Sequence, residues 1–305
     1  MPVITVYHHG VTAAIPPSKN DHERARRGEA QGWSKSATRS NMKFLRSINP
    51  KGLEGSQGFA FTLTVKDCPD SSDDWAKARN ALLERFRRFG VIRFHWVTEW
   101  QRRGCPHLHG ILYVDSSKAS GVDAWLRRSW LEIAEKFGAQ PNCQMIKPAN
   151  DSTGWFKYMS KHAARGADHY QRSAACVPSG WLKTGRVWGH GGDWRLDEPF
   201  RIEADNDFFY SLRRIVRRWR IADARAEHKD ASRIRTVNGW GNVGKNYASS
   251  KRRISSARRM LKCNKPKLSA VRGVSEWITA DLVLQVAGLL IDNGKLIHVD
   301  EASLS

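Results

Sequence analysis

The sequence predicts an α+β protein whose centre is an antiparallel sheet with helices on one face. Three observations carry this. A strand of period two begins after Gly58, a helix of period 3.6 follows it, and the later elements continue in the order β-β-α-β-α. Phe59, Phe61, Leu63 and Val65 alternate with Ala60, Thr62, Thr64 and Lys66, the pattern of a half-buried strand. Asp73 or Asp74 can cap a helix in which Trp75, Ala78, Leu82 and Phe86 recur at helical spacing, and Gly90 stops it. Residues 91–100 are β-rich, Arg102-Arg103-Gly104 makes a turn, and residues 106–114 form a second strand. Residues 122–137 read as a helix carrying Trp125, Trp130, Leu131 and Ile133, residues 143–146 as a short strand, and residues 152–164 as a further helix. The first six elements match the split βαβ, or ferredoxin-like, arrangement.

The flanks differ from this centre. Residues 1–57 read as a basic, irregular arm: Pro16-Pro17, a polar run at 18–28 and a Gly/Ser-rich stretch at 52–58 interrupt any period, with room for a short helix around 34–47. Residues 166–305 read as a basic, mostly helical region for DNA binding or an accessory role. Between Ser211 and Lys267 there are 18 basic and three acidic residues. Within it, Phe208, Phe209, Leu212, Ile215, Val216 and Trp219 make an apolar stripe, and Arg213, Arg214, Arg217 and Arg218 are expected on the other face.

Charge narrows the partners. The 305 residues carry a formal charge of +21, so the protein wants a polyanion, nucleic acid first and an anionic membrane surface second. An apolar fraction of 40% with 13 Trp argues against disorder. No apolar run is long enough for a membrane span, and the N-terminus has no secretory pattern. The five Cys are odd in number and scattered, with no C-x-x-C pair, which fits a reducing cytoplasm.

Two short stretches carry chemistry. His107 and His109 are two apart on an expected strand, so both imidazoles point the same way while Leu108 points into the core. Glu99 lies across the hairpin and can join them. Two His and a carboxylate form a facial set that leaves positions on Mg²⁺ or Mn²⁺ for substrate oxygens. A His-x-His pair also arises from ordinary surface or core histidines. Tyr158 and Lys161 are three apart and share a helix face. A phenol is a covalent nucleophile once its proton is gone, and a nearby ammonium favours the phenolate. An amphipathic helix produces the same spacing by chance, with Tyr158 as an anchor and Lys161 solvated.

Taken in order, Phe61-Thr-Leu-Thr64, Glu99, His107-Leu-His109 and Tyr158-x-x-Lys161 resemble the HUH endonucleases. Among them the pattern resembles the rolling-circle replication initiators of filamentous phages and small bacterial plasmids. The resemblance covers residues 58–165. It implies a nuclease domain in which His107, His109 and, by position, Glu99 hold Mg²⁺ or Mn²⁺. It further implies that Tyr158 forms a 5′-phosphotyrosine with Lys161 assisting. The freed 3′-hydroxyl then primes a host polymerase. Thr184-Gly-Arg-Val-Trp-Gly189 is similar to a stretch found after the nuclease core in some of these initiators. Some members carry a second Tyr one helical turn past the first. Here that position is His162, so a single-tyrosine enzyme is expected, with the second strand transfer left to a second protomer, Tyr170 or water. Without a Walker A motif the chain needs a host helicase. The expected substrate is single-stranded or extruded origin DNA, in the cytoplasm of a bacterial host.

Two other readings compete. A single-tyrosine transposase or relaxase shares the chemistry and differs in target DNA. A repressor or single-strand binder needs only the charge and the Trp residues, with the arginine helix lying on phosphates and aromatics stacking on bases. A solvated arginine face over a Trp219-anchored core is the simplest account of that helix.

Overall fold

The computed structural model describes residues 1–14, 31–149, 169–238, 251, 254–255, 274–276, 280–295 and 297–298. The strands among them are β1 (Val3–Tyr7), β2 (Gly10–Ala14), β3 (Ser56–Thr64), β4 (Arg93–Trp100), β5 (Pro106–Asp115), β6 (Met145–Ala149), β7 (Trp188–Gly192), β8 (Phe200–Ala204), β9 (Val274–Glu276) and β10 (Ile297–His298). They form two five-stranded antiparallel sheets in an α+β protein. Two units result: Glu23–Asp197, and a second made of Met1–His22 with Glu198–Ser305. The first is therefore inserted in the sequence of the second.

The inserted unit has sheet order β6-β3-β5-β4-β7. Its first four members are the four strands of the split βαβ arrangement in their usual order, and β7 extends the sheet beside β4. Helices α2 (Ser72–Phe89) and α3 (Val122–Ile133) cover one face. The apolar stripe of α2 is the expected one: Trp75, Ala78, Leu82 and Phe86 are all buried against Phe61, Leu63, Trp96 and Leu108. Its cap is Ser71, whose hydroxyl accepts the Asp74 N–H; Asp73 and Asp74, expected as caps, lie two and three residues further on, inside the first turn. Gly90 closes it in the left-handed conformation at φ 86°. The indole N–H of Trp130 on α3 reaches the Thr64 carbonyl at 3.0 Å, and its ring meets Trp75 edge-on at 5.7 Å. Gly110 is required where β5 passes under this core. A Cβ there would lie 2.3 Å from the Phe61 ring and 2.5 Å from the His95 carbonyl oxygen.

The opposite face is covered too. Helix α1 (Lys35–Ser47), capped by Ser34, lays Phe44 on His190 with ring centres 3.9 Å apart and brings Asn41 Oδ1 within 2.7 Å of His95 Nε2. The short helix allowed around 34–47 is α1, and with it residues 31–57 are ordered by packing on this face, where an arm otherwise irregular was expected. Likewise β7, beyond the end expected for this domain at 165, belongs to the same sheet. The expected helix at 152–164 lies outside the described residues.

In the second unit the sheet order is β10-β8-β1-β2-β9. The first 14 residues are a hairpin, again contrary to an irregular arm. Alternate residues Ile4, Val6, Val11, Ala13, Ile202 and Ala204 are buried with Phe208, Phe209, Leu212 and Val216 of the long helix Asn206–Asn238 and with Val283, Val286, Ala287 and Leu290 of the helix Ala280–Asp292. The expected arginine face is corrected at one position. Arg213 is buried, because it stands four residues after Phe209 and three before Val216 and so falls within their stripe. Arg214 and Arg218 are exposed. Among the described residues no helix is long and apolar enough to cross a membrane, and Cys68, Cys105, Cys143 and Cys176 are free thiols.

Candidate metal centre

The hairpin between β4 and β5 builds the site. Gly104 turns the chain at φ 84°, and Gln101 N–H bonds to the Cys105 carbonyl at 2.9 Å. The guanidinium of Arg103 ties this end to the Val65 and Lys66 carbonyls at the end of β3. The resulting register sets Glu99 opposite His107, and across the other edge of β5 it sets Thr62 opposite His109 and Thr64 opposite His107. Paired residues in an antiparallel ladder share a face. All five therefore lie on the face away from α2 and α3.

Glu99, His107 and His109 are buried, at 0%, 5% and 8% exposure, and their ligand atoms all lie within 4.8 Å of one another. They are the one such group of His, Cys, Asp and Glu among the described residues. His107 Nε2 and His109 Nε2 are 2.6 Å apart, and His109 Nε2 is 3.9 Å from Glu99 Oε2. Two imidazole nitrogens converging on a carboxylate oxygen suit a divalent cation. An ion held at about 2.1 Å keeps neighbouring ligands about 3.0 Å apart, a spacing the two distances straddle. Thr62 Oγ1 lies 2.8 Å from His109 Nδ1. A proton on Nδ1 donated to that hydroxyl turns the Nε2 lone pair toward the centre, the outer-shell support that metal-bound imidazoles use.

The carboxylate is divided between two neighbours. Arg172 Nε and Nη2 both donate to Glu99 Oε1, at 2.9 and 2.7 Å, while Oε2 faces the imidazoles. Arg172 is fully buried, with its guanidinium 4.1 Å from the centre of the Trp33 ring.

The structure thus brings together Glu99, His107 and His109. Tyr158 and Lys161 lie outside the described residues. Arg213, Arg214, Arg217 and Arg218 belong to the long helix of the other unit, and the side chain of Arg217 is outside the description. Sequence reasoning missed Thr62 and Arg172. Thr62 was discoverable, since it sits in the Phe61-Thr-Leu-Thr64 strand that neighbours the histidine strand. Arg172 is 73 residues from Glu99 with no motif around it.

The family model described as replication-associated protein ORF2/G2P matches residues 58–163, a span containing Glu99, His107, His109, Tyr158 and Lys161. The chain is 42% identical over 291 residues to the replication-associated protein G2P of Pseudomonas phage Pf3, covering 94% of this chain and 96% of that protein. It is 41% identical over 304 residues to a protein of Xylella fastidiosa strain 9a5c named "Putative replication protein", covering 96% and 98%. A second Xylella fastidiosa protein of that description, from strain Temecula1, is 42% identical over 287 residues, covering 91% and 99%. No solved structure matches. On these likenesses and on its motifs and sheet, the chain belongs to the replication-associated protein ORF2/G2P family, rolling-circle replication proteins of filamentous-phage type.

Proposed function

We propose that this chain is a site-specific DNA endonuclease and strand transferase that opens single-stranded or extruded DNA at a replication origin and so starts rolling-circle synthesis. The observation that carries the reading is the convergence of Glu99, His107 and His109 within 4.8 Å on one buried sheet face, an arrangement that DNA binding alone does not need. Family membership favours a replication origin over a transposon end as the target.

The three residues hold Mg²⁺ or Mn²⁺. Bound there, the ion would supply Lewis-acid polarisation of a phosphodiester and charge stabilisation for its departing oxygen. Thr62 keeps His109 in the tautomer that can hold it. The Tyr158 phenol gives up its proton, and its oxygen forms a bond to the scissile phosphorus as the P–O3′ bond breaks. The 3′-oxygen takes up a proton and leaves as a hydroxyl, and the 5′-phosphate stays on Tyr158. Lys161 favours the phenolate and neutralises a phosphate oxygen. Phosphodiester energy is conserved in the tyrosyl ester, so the reverse step joins ends without a nucleotide cofactor. Orientation of nucleophile and phosphate supplies part of the roughly 7–11 kcal/mol that fixed geometry can contribute. A host polymerase extends the 3′-hydroxyl and a host helicase opens the duplex, in the bacterial cytoplasm. The +21 charge brings the protein to its polyanionic substrate with a salt-dependent affinity.

The test is a covalent adduct. Wild-type protein with an origin oligonucleotide and Mg²⁺ or Mn²⁺ should give a protein–DNA species resistant to denaturant, and mass spectrometry should place the DNA on Tyr158. Tyr158→Phe should remove the adduct and keep DNA binding, and EDTA or His107→Ala should remove it as well. Adduct at wild-type level in Tyr158→Phe removes Tyr158 from the reaction. Adduct formation indifferent to EDTA and to His107→Ala removes the metal.

A further inference from the structure

Arg172 is a buried charge to which the nicking chemistry gives no part, and its bonding to Glu99 is unusual. Arginine and a carboxylate ordinarily pair fork to fork, one N–H to each oxygen. Here Nε and Nη2 both donate to Oε1, while Oε2 is turned to His109. Stability does not account for such a pair, since apolar residues of similar volume serve about as well or better inside a protein.

The guanidinium is fixed from several sides. Its carbon lies 4.1 Å from the centre of the Trp33 ring. The Trp33 indole N–H is held by the carbonyl of Thr98, the residue before Glu99, at 2.8 Å. The backbone of Arg172 is anchored as well. Its N–H donates to the His169 carbonyl at 2.8 Å, its carbonyl accepts the Trp33 N–H at 3.0 Å, and the Gln171 carbonyl accepts the Trp100 N–H at 2.8 Å. The two segments meet so closely that residue 32 must be glycine. Its φ is 70°, and a Cβ there would lie 2.6 Å from the Arg172 carbonyl oxygen. Two segments far apart in the chain are thus fastened to the end of β4 with this guanidinium between them and Glu99.

We infer that Arg172 is a positioning residue for the metal centre. By occupying Oε1 it makes Glu99 a one-oxygen ligand through Oε2, so that a coordination position that a chelating carboxylate would fill is left for an oxygen of the DNA phosphate. The inference rests on the metal centre proposed above and adds to it the reason why Glu99 donates through one oxygen only. A lysine could keep the charge but not the two-donor grip on a single oxygen, because an ammonium is a compact charge on a flexible stem.

Mn²⁺ binding to the full-length protein tests this without reference to cleavage. Affinity is read from the loss of the free Mn²⁺ electron paramagnetic resonance signal, and coordination from the zero-field splitting of the bound ion. Wild-type protein should bind, and His107→Ala/His109→Ala should not. Arg172→Lys should bind about 10–100-fold more weakly, with a changed splitting and an unchanged far-ultraviolet circular dichroism spectrum. Equal affinity and equal splitting in Arg172→Lys overturn the inference while leaving the metal centre standing. Wild-type binding no better than that of the double-histidine variant overturns both. A second measurement needs no Arg172 variant. The infrared difference spectrum on adding Mn²⁺, with Glu99→Gln as the blank, should show the two carboxylate stretches of Glu99 moving apart, as one-oxygen coordination requires. Stretches moving together mean a chelating Glu99 and refute the role.

Discussion

The two faces of the β6-β3-β5-β4-β7 sheet are made by the same strands and do opposite things. One face presents Phe59, Phe61, Leu63, Phe94, Trp96, Leu108, Leu112 and Val114 to α2 and α3. The other presents Thr62, His95, Glu99, His107 and His109, and most of these are as buried as the apolar set. Every residue of β4 is buried, so burial does not distinguish the faces. Chemistry does. Burying polar groups costs free energy unless each finds a partner, and here the partners are supplied by Asn41, Thr62 and Arg172. The apolar face holds the sheet together, and that rigidity keeps the polar face in register.

Substitutions on each face should therefore separate stability from metal binding. The largest loss of stability is expected from Trp130→Ala, which empties space next to Trp75 and leaves the Thr64 carbonyl with the Gln144 amide as its side-chain donor; urea unfolding should show a loss of about 3–5 kcal/mol. Gly110→Ala drives a methyl group into Phe61 and the His95 carbonyl and should cost about 3 kcal/mol, the upper end for overpacking, by the same measurement.

The third prediction concerns His95. Burial first, and His190 second, push its pKa down to about 3 in the folded protein. The unfolded chain takes up a proton near pH 6.5, whereas the folded one resists it. Stability is therefore full above about pH 6.5 and is lost as pH falls toward about 3, because the unfolded state binds more protons. Between about pH 7 and about pH 5 this group should remove about 2 kcal/mol, and His95→Gln should lose about that much less over the same interval of urea unfolding experiments. The smallest effect on stability is expected from Thr62→Val, about 1 kcal/mol. Its Mn²⁺ affinity should nevertheless fall about 10–100-fold. A Thr62→Val protein as unstable as Trp130→Ala with undiminished Mn²⁺ affinity would erase the contrast between the faces.

The order of elements from 59 to 146 and the convergence of Glu99, His107 and His109 were legible because they depend on near neighbours in the chain. Period-two alternation marks β3, a three-residue turn signal marks the hairpin, and the hairpin alone brings the carboxylate to the imidazoles. What escaped depends on distant pairing. Residues Val3–Tyr7 do alternate, but the strand is five residues long and its partner β8 begins at Phe200, so the hairpin was read as part of an irregular arm. The stretch around Trp188 was noticed for its motif and not as a strand, because its glycines give no apolar period. Gly189 and Gly191 instead make room for the Trp96 and Phe94 rings. Arg213 was misassigned because a charge was taken to mark the outer face, whereas its spacing from Phe209 and Val216 puts it inside.

The order of strands in the second sheet bears on how the protein is made. β1 and β2 leave the ribosome before the inserted unit, yet β8, the other neighbour of β1, starts at Phe200. At about 5–20 residues per second the first hairpin waits on the order of ten seconds or more for that edge to be covered, while the inserted unit emerges whole and can close its core. During translation the nascent chain thus carries an uncovered β-edge ahead of the inserted unit, and the sheet of that unit is complete before the second one.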